Sequence, residues 1–439
     1  MTHQDLLAVA NQFGSPVYVY DAEKIQSQFH RLTSAFAKVK QLKINYAVKA
    51  LSNISVLKFL HQQGAGMDTV SIQEVRLALE AGVPPEMIIY TPNGVSLKEI
   101  EKAADLGVQI NIDNLSILEQ FGTRHPNVPV CIRINPHVMA GGNHNISVGH
   151  IDSKFGISIH QLPHVQRIVE NTKMTVNGIH MHTGSDILDI DVFLHASEIL
   201  FDAARHFDDL AFIDFGSGFK VPYHQGDIET NIEEFGERLS IRFNEFCKEY
   251  GKPLTLAFEP GKFLVSEAGK FLVQVNVVKQ TTSTVFAQVD SGFNHLIRPM
   301  LYGSQHQITN VSNPKGRERF YSVVGYICET DTFANNRRIS EIREGDIDVI
   351  DFFIHKQIHG QFGNGAGLAE AGRIAIGKFR GQLPACSCGK LCSLAAGRNH
   401  PGVFRNKFIG YLAQQVCVQC TTQALVGGHQ YQCPLFSTT

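Results

Sequence analysis

Eight short runs rich in apolar and β-branched residues recur at 44–49, 66–71, 87–92, 109–113, 130–135, 176–182, 211–215 and 255–259, with amphipathic segments between them. Nothing else in the chain narrows its fold so far. Parallel strands need a crossover, usually a helix, so strand–helix alternation selects a parallel sheet clad in helices. Eight such units predict an α/β chain built on a (β/α)8 TIM barrel. The helical segments carry their own punctuation: Ser71 stands at an N-cap position, Glu74 follows three residues on, and Gly82 closes the segment. In a barrel of this kind, chemistry gathers where strands end and the following loops begin. The polar residues at those ends are Lys49, Asp68, Asp113, Arg133, His180, His182, Gly216, Ser217, Gly218 and Glu259.

Past the eighth run the rhythm changes. Residues 271–278, 285–290 and 319–328 read as strands without long helices between them, which predicts a C-terminal all-β domain over 266–347. The run Pro16-Val17-Tyr18-Val19-Tyr20-Asp21 is also strand-like, so residues 1–25 are expected to join that domain before the chain enters a barrel over 26–265. A formal charge of −2 gives no case for a nucleic-acid partner. No stretch of about 18 apolar residues appears and the first residues are polar, so neither a membrane span nor a signal peptide is expected, and the compartment is read as cytoplasmic. The sparse Cys131, Cys247 and Cys328 agree with a reducing environment.

The last 92 residues break with this. Through Ile347 the chain has 38 Asp and Glu against 31 Lys and Arg; from Asp348 on it has 3 against 8, and six of the nine cysteines.

Lys49 is the first chemical signal. An amine buried at the end of a strand loses hydration, its pKa falls, and it becomes a nucleophile able to condense with an aldehyde cofactor. A lysine whose stem packs and whose ammonium reaches solvent is the plain alternative. Gly216-Ser217-Gly218 follows the seventh run, where backbone N–H groups of a barrel often cradle phosphate. Strand alternation sends His180 and His182 to one face, as cofactor-stacking residues, core residues or metal ligands. Metal is disfavoured, because no third ligand has convincing spacing. Glu259, before Pro260, Gly261 and Lys262, could hold a heterocyclic nitrogen protonated or close the barrel through an ion pair. Beyond the barrel, Arg298 and Tyr302 lie about one helical turn apart, a guanidinium suited to a carboxylate and a phenol beside it. Cys328-Glu329-Thr330-Asp331 sets a potential proton donor among carboxylates, although most cysteines are small hydrophobes.

Taken together these segments resemble the fold-type III pyridoxal-phosphate decarboxylases of basic amino acids, which share a barrel with alanine racemase. The marks are Tyr46-Ala47-Val48-Lys49-Ala50, Arg133-Ile134-Asn135-Pro136, Ser153-Lys154-Phe155-Gly156, His182-Thr183-Gly184-Ser185, Glu259-Pro260-Gly261-Lys262, Arg298-Pro299 with Tyr302, and Cys328-Glu329, over about 15–347. The resemblance implies pyridoxal 5'-phosphate carried by Lys49, His182 stacked on its ring, and Ser185 with Gly216, Ser217 and Gly218 on its phosphate. It implies Glu259 at the ring nitrogen. Lys262 stands where the family more often has arginine, in contact with phosphate or carboxylate. Arg298, Tyr302 and Glu329 would grip the far end of the substrate, and Cys328 would return a proton, reaching the partner's site in a homodimer. The implied reaction is decarboxylation of meso-2,6-diaminopimelate to L-lysine, the last step of lysine biosynthesis. Ornithine, arginine and carboxynorspermidine are rival substrates, and an inactive cofactor-binding protein is the rival from another class.

The resemblance stops near Gly345-Asp346. The family continues with a tyrosine that meets cofactor and substrate, whereas this chain has no tyrosine between Tyr326 and Tyr411. The charge reversal begins at the same place, so residues 348–439 read as a frameshifted or misjoined ending. The competing reading takes Cys386, Cys388, Cys392, Cys417 and Cys420 as zinc ligands.

Overall fold

The computed structural model describes residues 1–138, 149–223, 226–351 and, for the backbone alone, 373–377. Strand β1 (Val17–Asp21) lies outside the barrel. The barrel begins with β2 (Leu42–Ala47), β3 (Gly66–Thr69), β4 (Ile88–Tyr90), β5 (Gln109–Ile112) and β6 (Val130–Asn135). A two-residue strand, β7 (Ile157–Ser158), runs beside β6. The barrel closes through β8 (Val176–Met181), β9 (Phe212–Asp214) and β10 (Thr255–Phe258), with β10 hydrogen-bonded to β2 and β5 to β6. Every pairing is parallel.

All eight runs therefore form strands, although all but the fifth end one or two residues early. β2 stops at Ala47, and Lys49 sits on the following 3-10 turn, Val48–Ala50, rather than on the strand. The cause is local: the Ala47 N–H donates to the Pro260 carbonyl at 3.2 Å, and Gly261 packs so closely that a Cβ there would lie 2.8 Å from the Ala50 methyl. The loop after β10 thus takes the backbone group that strand pairing would have used.

Apolar faces of the outer helices meet the barrel in an aromatic layer. Phe36, Phe215, Phe219, Phe235 and Phe258 are almost fully buried, with Phe36 and Phe258 ring centroids 4.6 Å apart. The helices Ala22–Ala35 and Ile232–Tyr250 approach most closely at Gly236, whose added Cβ would lie 2.4 Å from the Ala35 carbonyl oxygen. Truncating one of these phenylalanines to alanine costs about 3–5 kcal/mol.

The second sheet contains β11 (Gly269–Gln280), β12 (Val285–Val289), β13 (Ile308–Asn310), β14 (Glu318–Val324), β15 (Thr332–Ser340) and β16 (Ile347–Asp351), in the order β13-β16-β11-β12-β14-β15. β1 runs antiparallel to β11, joining the N-terminal segment to this sheet. The strand β17 (Arg373–Gly377) lies parallel along β1. β16 begins at position 347, continues past it to Asp351 and is paired on both sides. Cys328 is not at a strand end as read from the sequence: β14 stops at Val324, and a turn over 325–331 carries the cysteine. Asp331 makes that turn, its carboxylate accepting from the N–H groups of Phe293 and Ile327 while its carbonyl accepts from Gly325. The tail cysteines proposed as zinc ligands lie outside the described residues. No described helix is long and apolar enough to cross a membrane.

Candidate active site

The turn after β2 and the end of β3 place Lys49 Nζ 3.0 Å from Asp68 Oδ2. Asp68 is fully buried, and its Oδ1 has no partner. Burial would depress the Lys49 ammonium, but the carboxylates of Asp68, Glu259 and Glu74 outweigh it and hold the amine above its ordinary range. The depressed amine expected from burial alone is thus reversed by charge. Asp68 in turn is pushed up by burial and by Glu259, against the pull of Lys49.

Across the barrel mouth, Glu259 follows β10 and its Oε2 lies 3.0 Å from His180 Nε2 on β8. Burial opposes ionisation of Glu259, yet His180 first and then Lys49 draw its pKa down to about 2. Its Oε1 has no partner. Asp214, on β9, comes within 4.8 Å of this pair, supplying a third potential metal ligand that spacing did not reveal. Asp214 is pushed well up by burial and by Glu259, so among these carboxylates Glu259 carries the charge. His182 sits one residue past β8, with Nδ1 accepting from the Ser217 N–H at 3.3 Å. Burial, with the charges of Arg133 and Lys49, holds it well below the usual histidine range, so its ring is neutral.

Two loops form the third side. Gly216 and Gly218 have φ of +62° and +133°, and added Cβ atoms would lie 2.6 Å from the Met181 carbonyl oxygen and 2.2 Å from that of Gly184. Only glycine satisfies both demands. The Ile187 N–H donates to the Gly218 carbonyl at 2.9 Å, fixing the 184–187 loop, with Ser185, against the 216–219 loop. Buried Lys262 reaches this junction, paired with Asp186 and donating to the Tyr223 hydroxyl at 2.8 Å. The Arg298 guanidinium lies over the rings of Tyr223 and Tyr302 at 5.4 and 5.3 Å, with Nε and Nη1 buried and unpartnered.

Lys49, His182, Ser185, Gly216, Ser217, Gly218, Glu259, Pro260, Gly261, Lys262 and Arg298 therefore belong to elements that meet at one end of the barrel. Cys328 and Glu329 are exposed, and no hydrogen bond among the described residues ties either to that cluster. Tyr302 is 39 % exposed on the helix Arg298–Tyr302. Asp186, Tyr223 and Asp214 were not singled out from sequence. Only Asp214, directly before the Phe215-Gly216-Ser217-Gly218 run, had a positional signal.

These features fit pyridoxal phosphate. Unpartnered buried Asp68 Oδ1, Glu259 Oε1 and His180 Nδ1 each cost about 1–3 kcal/mol unless a ligand meets them. Asp68 adjoins the Lys49 amine, Glu259 pairs with His180, and His182 links this cluster to the glycine loop through the Ser217 N–H.

The sequence pattern described as "Pyridoxal-dependent decarboxylase, pyridoxal binding domain" matches residues 22–266. The chain is 36% identical over 354 residues to diaminopimelate decarboxylase of Methanothermobacter thermautotrophicus, covering 78% of this chain and 82% of the relative. It is 32% identical over 373 residues to the Escherichia coli enzyme of the same name, covering 80% and 86%. Among solved structures, diaminopimelate decarboxylase of Helicobacter pylori complexed with L-lysine superposes with a TM-score of 0.73 at 28% identity, over 81% of this chain and 91% of that one.

Proposed function

The chain belongs to the pyridoxal-dependent decarboxylase family, and on that premise we propose that it converts meso-2,6-diaminopimelate to L-lysine and carbon dioxide, with pyridoxal phosphate as cofactor, as the last step of lysine biosynthesis. The observation that carries the chemical reading is the Lys49–Asp68 contact at 3.0 Å, a nucleophile beside its proton acceptor at the mouth of a barrel.

Lys49 would hold the cofactor through its Nζ, with Asp68 Oδ2 at 3.0 Å placed to hold the amine's proton. Glu259, ionised and steadied by His180, keeps a proton on the ring nitrogen. Neutral His182 would lie along the ring face without adding positive charge there. Ser185 with the backbone of Gly216, Ser217 and Gly218 holds the phosphate, Pro260 and Gly261 set the approach of the loop behind Lys49, and Lys262 supplies the cation. When bound, the cofactor supplies a protonated ring that takes up the electron pair left as the α-carboxylate departs. Arg298, through its two unpartnered nitrogens, takes the distal carboxylate, with Tyr302 beside it and Glu329 at the distal ammonium. The Cys328 thiol returns a proton to the α-carbon. Lys262 can also meet substrate carboxylate. An amino-acid group at both ends of the substrate is favoured over ornithine or arginine because a buried guanidinium without an anion is costly.

Release of carbon dioxide from meso-diaminopimelate, set against ornithine, arginine and carboxynorspermidine, tests the substrate. Borohydride reduction followed by peptide mapping tests the attachment: label on Lys49 is expected, and an unlabelled Lys49 would overturn the reading.

The exposure of Cys328 and Glu329 supports a homodimer in which each serves the partner's site. The absence of a membrane-crossing helix among the described residues agrees with a cytoplasmic enzyme. The domains we assign are a barrel over 26–265 and a β domain over 266–347 joined by residues 1–25, a division supported by the β1–β11 pairing. We assign 348–439 to a misread gene end. Since Arg373–Gly377 pairs with β1 as a genuine closing strand would, the decision rests on the DNA: a family-like ending in another frame supports the assignment, and an intact in-frame one refutes it.

A further inference from the structure

Lysine at position 262 leaves a specific physical problem. The side chain is 8 % exposed, and a lysine ammonium is a compact, strongly hydrated charge that loses its proton readily when buried. A guanidinium in the same place would stay charged unaided. The chain supplies Lys262 with two partners, from two different loops. Asp186 forms an ion pair with its Nζ, and the Tyr223 hydroxyl accepts from it at 2.8 Å. Asp186 itself adopts φ +61°, a left-handed conformation uncommon for a non-glycine residue, directly after Ser185.

An ammonium has three N–H donors. Asp186 and Tyr223 take two of those on Lys262, which leaves one, at the junction of the 184–187 and 216–219 loops. Other charges gather around the same tyrosine: the Arg298 guanidinium lies 5.4 Å from the Tyr223 ring centre, and Lys220 lies 4.9 Å from it, paired with Asp227 at 2.7 Å. Asp186 is the carboxylate that contacts Lys262 itself.

We propose that Asp186 is a positioning residue of the anion site: its carboxylate, with the Tyr223 hydroxyl, keeps the buried Lys262 ammonium protonated and turned so that its third N–H meets the phosphate of the cofactor. This rests on the functional reading above. Burial already draws Lys262 below the ordinary lysine range even with Asp186 in place. Without Asp186, desolvation and the Arg298 charge act on Lys262 unopposed, and the cation is lost at a lower pH. Asp186 and Lys262 thus do together what one arginine would do alone.

The test is binding rather than turnover. The dissociation constants of pyridoxal phosphate and of inorganic phosphate are measured between pH 6.5 and 9.5 for the unchanged chain, for Asp186→Asn, for Lys262→Arg and for Asp186→Asn with Lys262→Arg. Asp186→Asn should move the alkaline loss of affinity down by about one pH unit, so that binding along the falling limb is weakened up to about tenfold. Both variants carrying Lys262→Arg should lack that break. An Asp186→Asn profile that follows the unchanged chain overturns the proposal, as does a break that survives in Lys262→Arg, which decides the matter even if Asp186→Asn does not fold. Failure of the unchanged chain to bind pyridoxal phosphate would instead sink the functional reading, so the two failures are distinct.

Discussion

His180 Nε2 lies 3.0 Å from Glu259 Oε2, and both side chains are buried at the mouth of the barrel. The contact leaves Glu259 with one satisfied oxygen and one open to a ligand. It also helps keep the carboxylate ionised in a place where desolvation alone would neutralise it.

Glu259→Gln should therefore leave the barrel folded and slow decarboxylation by about a hundredfold or more, as removal of a preorganised charge does. The acid limb changes too. A carboxylate with a folded pKa of about 2 adds stability that is fully present above its unfolded pKa of 4.5 and lost as pH falls toward 2. Thermal melts between pH 2 and 6 should show a shallower acid loss in the variant.

Gly218→Ala should destabilise the protein by about 1–3 kcal/mol and weaken phosphate binding. The backbone there has φ +133°, and the new methyl would meet the Gly184 carbonyl oxygen at 2.2 Å. Melting temperature and phosphate affinity should fall together.

Asp348 predicts the opposite pH sign to Glu259. It lies in β16, fully buried, with both carboxylate oxygens unpartnered, and burial together with Asp346 raises it to about 7. Between its unfolded pKa of 3.8 and pH 7 the folded chain holds a proton that the unfolded chain has lost, so stability falls as pH rises through that window. Asp348→Asn should raise stability at pH 8 by roughly 1–4 kcal/mol and change little at pH 4, as denaturant melts at both values would register.

Lys49→Ala and Cys328→Ala should each be nearly inactive with unchanged melting. Mixing the two under conditions of subunit exchange should restore part of the activity, since a mixed dimer with shared sites has one complete site. No recovery on mixing, with exchange verified, would refute the shared-site dimer.

The eight barrel strands were legible because strand–helix alternation is written in every unit. Lys49, Glu259 and the 216–218 glycines were legible because they sit at strand ends, where the fold sends chemistry. What was not legible depended on loop–loop contact. Asp186 and Tyr223 are far apart in sequence, and only the 184–187 loop lying against the 216–219 loop brings them to Lys262. The charge of Lys49 was misjudged for a related reason, because Asp68, Glu259 and Glu74 together outweigh the burial of the amine and their distances cannot be read from spacing. Cys328 was placed on a strand because the residues before it are largely apolar, whereas Asp331 holds residues 325–331 in a turn.

The antiparallel match of Val17 with Leu272 bears on biosynthesis. During translation the leading strand emerges from the ribosome about 250 residues before its partner, a delay on the order of tens of seconds at ordinary elongation rates. Throughout that interval the apolar ribbon Val17–Asp21 lacks its sheet partner, and its open hydrogen-bonding edges are exposed to pairing with other chains.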